Sequence, residues 1–110
     1  MSKSSLGEFE KLVMLAVLHL GHDAYGATII QELEKRTLRT VSAGAVYVAL
    51  RRLEKKELVS SCLGQPSPQR GGRPKRFFSV NHEGIEALRR AQEDWTAMVS
   101  GLKEILGHGE

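Results

Sequence analysis

Little in this chain could hold a fold together covalently or carry it across a membrane. Its 110 residues include one cysteine, Cys62, which excludes an internal disulfide framework and fits a reducing cytoplasm. A lone thiol in a strand reads as a small packing residue, with a redox role left open. The strongly apolar stretch Leu12 to Leu20 is nine residues long, against the roughly 20 that a membrane helix needs. Glu8 and Glu10 precede it, where a secretory signal carries positive charge, so no targeting segment and no membrane are expected. The three prolines are Pro66, Pro68 and Pro74, which confines the strongest breakers to one loop. His19, His22, His82 and His108 are scattered, and Gly21 separates the first two, so no metal site is expected. Nothing resembles a glycine-rich phosphate loop, a nucleophile elbow or an acid pair, so neither catalysis nor a cofactor is expected.

What is present suits one small globular domain. The hydrophobic fraction of 41% is ordinary and argues against disorder throughout. A chain this short buries a thin core, and apolar surface left over favours a dimer. Charge is unevenly placed. Between Lys35 and Arg76 stand eleven Lys or Arg against Glu54 and Glu57, a balance of +9, while the rest of the chain sums to −6 and the whole to +3.

Hydrophobic spacing predicts a first helix over Leu6 to Leu20. Leu6, Phe9, Val13, Ala16 and Leu20 lie on one face, and Leu12, Leu15 and Leu18 widen the stripe nearly all round. Such a helix needs two coverings, its own core and a partner subunit; Gly21 ends it. A second helix is expected over Ala24 to Thr37, with Asp23 as N-cap and Ala27, Ile29, Ile30 and Leu33 inward. After a turn at Leu38 to Val41, Ser42 caps a third helix, and Val41 is placed to staple onto Val46. Val46, Ala49, Leu50 and Leu53 fall on one side of that helix. Gly44, Tyr47, Val48, Arg51, Arg52 and Lys55 fall on the other. Leu58 to Leu63 and Lys75 to Val80 read as strands joined by a loop. Asn81 caps a last helix whose Ile85, Leu88, Trp95, Val99, Leu102 and Leu106 fall at a and d of a heptad, broken by Gln92. A seam that wide on a terminal helix points to pairing with another chain.

The fold class expected is therefore mainly α with a two-stranded β wing: a winged helix-turn-helix over 1–80, then a dimerisation helix over 81–110. In that plan the third helix enters the major groove of double-stranded DNA by its N-terminal end. Ala43, Gly44 and Ala45 allow close backbone approach, Ser42 can donate to a phosphate or base, Tyr47 offers a ring and a hydroxyl, and Val48 suits a thymine methyl. Arg51 and Lys55 extend a basic face, and Arg70, Gly71, Gly72 and Arg73 make a cationic loop tip for phosphates or a minor groove.

The segments Leu6-Gly7-Glu8-Phe9, Asp23-Ala24-Tyr25-Gly26 and Ser42-Ala43-Gly44-Ala45-Val46-Tyr47 resemble the PadR family of bacterial transcriptional regulators. So do Leu50, Arg52-Leu53-Glu54, Leu58-Val59 and the wing Arg70-Gly71-Gly72-Arg73 with Lys75-Arg76-Phe77-Phe78. The resemblance covers nearly the whole chain and looks like a short member with a single C-terminal helix. It implies a homodimeric repressor of a pseudo-palindromic operator, paired through the last helix with help from the first. On this basis Phe9, Val13, Ile85, Leu88, Gln92, Trp95, Val99, Leu102 and Leu106 form the expected interface. Ser42, Gly44, Tyr47 and Arg51 would face DNA from the third helix, and Arg70 to Lys75 from the wing. Tyr25 either reaches a phosphate or buttresses the third helix. Glu57 stands where such chains usually place a glycine, and Phe77 and Phe78 where tyrosines are common.

Trp95 has two readings, interface core or the aromatic wall of a cavity between subunits. The second is suggested by likeness to multidrug-sensing short members, with Ala91, Gln92, Met98 and Val99 beside it and a planar apolar or cationic effector as ligand. A rival function for the whole chain is a winged-helix module that sets its basic face against an acidic protein.

Overall fold

A computed structural model describes residues 6–65 and 73–107. Helix α1, Glu8–Leu20, packs with α2, Gly26–Thr37, and α3, Ala43–Lys55, over a common core. Strands β1, Val59–Leu63, and β2, Arg76–Val80, follow as an antiparallel pair with Val59 opposite Val80 and Cys62 opposite Phe77. Helix α4, His82–Val99, then leads to a short α5, Lys103–Leu106. The helices-plus-wing plan read from the sequence is the architecture observed.

The core is built from Val13, Met14, Ala16 and Val17 of α1, Ile29 and Leu33 of α2, and Val46, Ala49, Leu50 and Leu53 of α3, closed by Leu58, Val59 and Phe78. Each fully buried Leu, Ile or Met contributes about 1.5–3 kcal/mol relative to exposure. Two consequences correct the sequence reading of α1. Val13 is fully buried in the chain's own core, so it cannot belong to a subunit interface. Met14 and Val17 join it, and Leu15 and Leu18 are left outside. The helix also starts at Glu8 and not Leu6, because Glu10 Oε1 accepts the Gly7 N–H at 2.8 Å and fixes the first turn there. Gly21 ends it with a positive φ of 60°, its N–H bonded to Val17 O.

Helix α2 begins two residues later than expected, and Asp23 does not cap it. A single 3-10 turn occupies Gly21–Asp23, after which Ala24 and Tyr25 are extended and claimed by the sheet. Phe78 donates its N–H to Ala24 O at 2.8 Å, and Tyr25 bridges Phe77. The capping role passes to Thr28, whose hydroxyl accepts from Tyr25 N at 3.0 Å and donates to Asp23 O. With the helix starting there, Ala27 faces solvent and Gly26 is buried instead. Leu38 stops α2 in the left-handed region (φ 58°). The turn after it is pinned by Glu34, whose carboxylate accepts from Val41 N at 2.9 Å.

Helix α3 ends with a Schellman closure. Glu57 N donates to Glu54 O at 2.9 Å and Leu58 N to Leu53 O at 3.0 Å, the pattern that requires a left-handed residue between them. Glu57 fills that position with φ 63°, where glycine would sit without strain. Asn81 precedes α4 but lends its N–H groups no side-chain cap. Its amide instead donates to Glu57 O at 3.0 Å, and its oxygen accepts from the Ser60 hydroxyl at 2.7 Å. Gly84 lets α4 cross this junction: a Cβ there would stand 2.4 Å from Leu58 O.

The last helix is not continuous to Leu106. Ser100 takes ψ 130° and Gly101 φ 87°, so Leu102 and Leu106 leave the heptad that Ile85, Leu88 and Trp95 follow. No helix among the described residues is long and apolar enough to cross a membrane.

Candidate nucleic-acid interface

Helix α3 divides cleanly by face. Val46, Ala49, Leu50 and Leu53 are buried, while Ser42, Gly44, Tyr47, Val48, Arg51, Arg52 and Lys55 are exposed. Its N-terminus is set by Ser42, whose hydroxyl oxygen accepts from Ala45 N at 3.0 Å and keeps its own hydrogen free to donate. Nothing among the described residues lies over Gly44: an added Cβ would meet only Ser42 Oγ, at 3.9 Å.

The base of the wing stands beside this face. Lys75 Nζ sits 3.7 Å above the ring centre of Tyr25, and that ring meets Phe77 edge-on, 5.4 Å between centres and 71° between planes. Tyr25 thus anchors the wing strand to the start of α2, a third role that neither sequence alternative named. A groove of about 570 Å³ runs between, lined by Tyr25, Gly26, Tyr47, Arg51, Lys75 and Arg76. Arg73 is exposed at the near edge of the loop. Arg70, Gly71 and Gly72 lie outside the described residues.

The basic surface is smaller than the count of cations implies. Arg36 and Lys35 lean on the buried Glu32. The Arg36 hydrogen bond holds the Glu32 carboxyl below the usual carboxylate range against the burial that would raise it, with Lys35, Arg36 and His19 adding to the pull. Lys56 bonds Glu10 at 2.7 Å. Burial pushes the Glu10 carboxyl up, but the Lys56 bond, the Gly7 N–H and the charges of Lys56 and Arg52 together bring it below its ordinary value. Sequence reading missed Glu10 as a buried tie between α1 and α3, although a Gly-x-x-Glu start to a helix is one signal of such a cap. Arg39, Arg51, Arg52, Lys55, Arg73 and Arg76 remain exposed, with Lys75 half-buried beside them.

A second surface lies away from α3. Leu12, Leu15 and Leu18 of α1 face Ile85, Leu88 and Trp95 of α4 across an apolar groove of about 470 Å³, with Ala91 and Gln92 on its wall. Trp95 is 67% exposed and Met98 76%. Of the expected ligand residues, Ala91, Gln92 and Trp95 line this groove; Met98 and Val99 do not. Phe9 is half-buried against the chain's own core. Cys62 is exposed on β1 and does no packing in the core.

The sequence model of the transcriptional regulator PadR-like family matches residues 14–90. A protein of Lysinibacillus sphaericus described as uncharacterized is 26% identical over 102 residues, covering 91% of this chain and 85% of its own. Among solved structures, a PadR-like transcription factor from Bacteroides fragilis superposes with a TM-score of 0.70 at 26% identity, covering 88% of each chain. A PadR family transcriptional regulator from Eggerthella lenta gives 0.68 at 26% identity, over 93% of this chain and 88% of that one. One from Bacillus cereus shares the fold at 0.72 and 21% identity, over 92% and 93%. The family match takes in the second half of α1, all of α2, α3 and the described wing, and the first half of α4, and the chain belongs to the PadR-like family of transcriptional regulators.

Proposed function

We propose that two copies of this chain act together as a repressor at a pseudo-palindromic operator. Each sets the N-terminal end of α3 in a major groove and lays its wing along the adjoining backbone. Half-sites then stand one helical turn apart, about 34–36 Å. The observation that carries the reading is the division of α3. Four apolar residues seal one face into the core, and the other presents small residues at its start and cations further along, with nothing among the described residues covering them. Small residues permit the approach that base reading needs, and the cations supply phosphate contacts.

Pairing is supported by the apolar groove of α1 and α4. Leu15, Leu18, Ile85 and Trp95 lie uncovered around it, a contiguous apolar patch of the kind that marks an interaction surface. Leu88 and Gln92 line it with them, while Phe9, Val99, Leu102 and Leu106 lie outside its lining; Val13 is excluded by burial. In the pair, Trp95 walls a cavity for a planar apolar or cationic compound, with Ala91 and Gln92 beside it. Binding there changes the angle between subunits and with it the spacing of the two α3 helices.

Selection of bound sequences from a random duplex library tests the reading directly. A recovered inverted repeat with half-site centres about 10–10.5 base pairs apart supports it. No enrichment over input, from protein that light scattering shows to be a single subunit, refutes it.

A further inference from the structure

Tyr47 belongs to the outward half of α3, yet its ring does not project freely. A Cβ built on Gly26 would stand 2.1 Å from Tyr47 Oη, 2.8 Å from Cζ and 3.2 Å from Cε1. The phenol therefore rests on bare backbone at the first turn of α2, in space that any side chain at position 26 would fill. About half of Tyr47 stays exposed, as part of the groove whose other walls carry Arg51, Lys75 and Arg76. The one carboxylate in that groove, Glu54, accepts from the Ser61 hydroxyl at 2.5 Å, and Ser61 Oγ in turn accepts from Arg76 at 3.0 Å. Glu54 and Arg76 are thus linked to each other. Among the described residues Arg51 has no ion-pair partner, and Lys75 has only the face of the Tyr25 ring.

Donors from a phenol, a guanidinium and an ammonium lining one groove match the oxygens of a phosphodiester. The base edge they could equally serve, the two acceptors of guanine, would show as sequence choice. We propose that Gly26 is a positioning residue: its missing side chain seats the Tyr47 phenol on α2, so that Tyr47 joins Arg51 and Lys75 as a ligand for a backbone phosphate and takes no part in choosing bases. This rests on α3 being the DNA-contacting helix. Sequence choice is then left to the start of α3, at Ser42, Gly44 and Val48.

The test uses the full chain labelled with 3-fluorotyrosine, which reports on Tyr25 and Tyr47, its two tyrosines. Tyr47→Phe assigns the second resonance. Gly26 has no left-handed backbone, and the atoms an alanine would strike are the free end of a side chain, so Gly26→Ala folds and swings Tyr47 off its seat. The Tyr47 resonance should move, by more than that of Tyr25. Affinity is measured on the best selected duplex and on an unrelated one. Gly26→Ala and Tyr47→Phe should each weaken both duplexes by the same factor, on the order of tenfold for a lost bond to a charged group. The double variant should be no worse than either single. An unmoved resonance overturns the proposal. So does a loss confined to the selected duplex, which would make Tyr47 a base reader, and so do additive losses, which would separate Gly26 from Tyr47. Binding to no duplex at all refutes the DNA reading and the phosphate role with it, and a moved resonance in that case shows that the seat itself was real.

Discussion

Replacing Gly44 with alanine separates what the fold needs from what the duplex needs. Gly44 is the second residue of α3, exposed, with no positive φ, and an added Cβ meets only Ser42 Oγ at 3.9 Å. Nothing among the described residues opposes the methyl group. Alanine at such a position restricts the unfolded chain and favours the helix, so stability should rise by about 0.5–1 kcal/mol. For a domain of this size that is a gain of about 2–5 °C in melting temperature. If the start of α3 lies against base edges, the same methyl occupies space the duplex requires. Forcing an extra methyl into a packed contact costs about 1–3 kcal/mol, and 1.4 kcal/mol is tenfold in affinity. Thermal melts followed by circular dichroism give the first quantity. Fluorescence anisotropy on the selected duplex gives the second, with an unrelated duplex as control. The expected result is a more stable protein that binds its operator about tenfold or more weakly. A more stable protein with unchanged affinity would refute the placement of Gly44 at the DNA, and a less stable one would refute the open space described around it.

Glu57→Gly should stabilise the chain by about 0.5–1 kcal/mol, since the left-handed region costs an L-residue roughly 1–2 kcal/mol and glycine's extra unfolded freedom returns part of it; urea midpoints measure this, and DNA affinity should not change. Glu10 has its folded-state pKa below the ordinary 4.5, so its contribution is fully present above that value and is lost as pH falls through the lower, folded one. Acid titration of unfolding should show that loss, and Glu10→Gln should flatten it. Lys56→Met, which leaves a buried carboxylate without its ammonium, should cost about 2 kcal/mol at neutral pH, less than a deep pair because this one lies near the surface and is partly screened. Trp95→Leu should leave operator affinity within about twofold, because position 95 is remote from α3, and should abolish the fluorescence response to planar cationic dyes; a loss of DNA binding equal to that of Arg51→Ala would contradict the division between the two surfaces. With about six phosphates neutralised per dimer, log affinity should fall against log salt with a slope near −5, and a flat response would exclude phosphate contacts as the source of binding.

How far the sequence could be read depended on whether one periodicity decided the matter. In α3 the apolar residues recur on a single face and Ser42 marks the start, so inward and outward residues were all legible. In α1 nearly every position from Leu12 to Leu20 is apolar, and periodicity cannot choose a buried face there. Contacts with α2 and α3 chose Val13, Met14 and Val17 and left Leu15 and Leu18 outside. The start of α2 was misplaced because the demand that decided it comes from β2, more than fifty residues on, which takes Ala24 and Tyr25 into the sheet. The break after Val99 was hidden by Leu102 and Leu106, which keep a heptad spacing across Gly101, a residue that a helix tolerates at a cost of about 1 kcal/mol.

Counting charge shows the same division between what composition reveals and what geometry decides. Eleven cations between Lys35 and Arg76 made a nucleic-acid partner the natural expectation. Yet Lys35 and Arg36 serve Glu32, and Lys56 serves Glu10. Those carboxylates lie in the acidic remainder of the chain, so the +9 and −6 segments partly neutralise each other on folding. What survives is a strip along α3 and the wing base, where Arg51, Arg52, Lys55, Arg73 and Lys75 stand without carboxylate partners within ion-pair reach among the described residues. The cations lost to Glu10 and Glu32 are not wasted on the reading face: Lys56 ties the end of α3 to α1, so the helix that carries the strip is held against the helix that carries the proposed pairing surface. If two subunits pair along α1 and α4 as proposed, a change in how they meet would reach α3 as a rigid displacement, which is what a spacing-sensitive operator would detect.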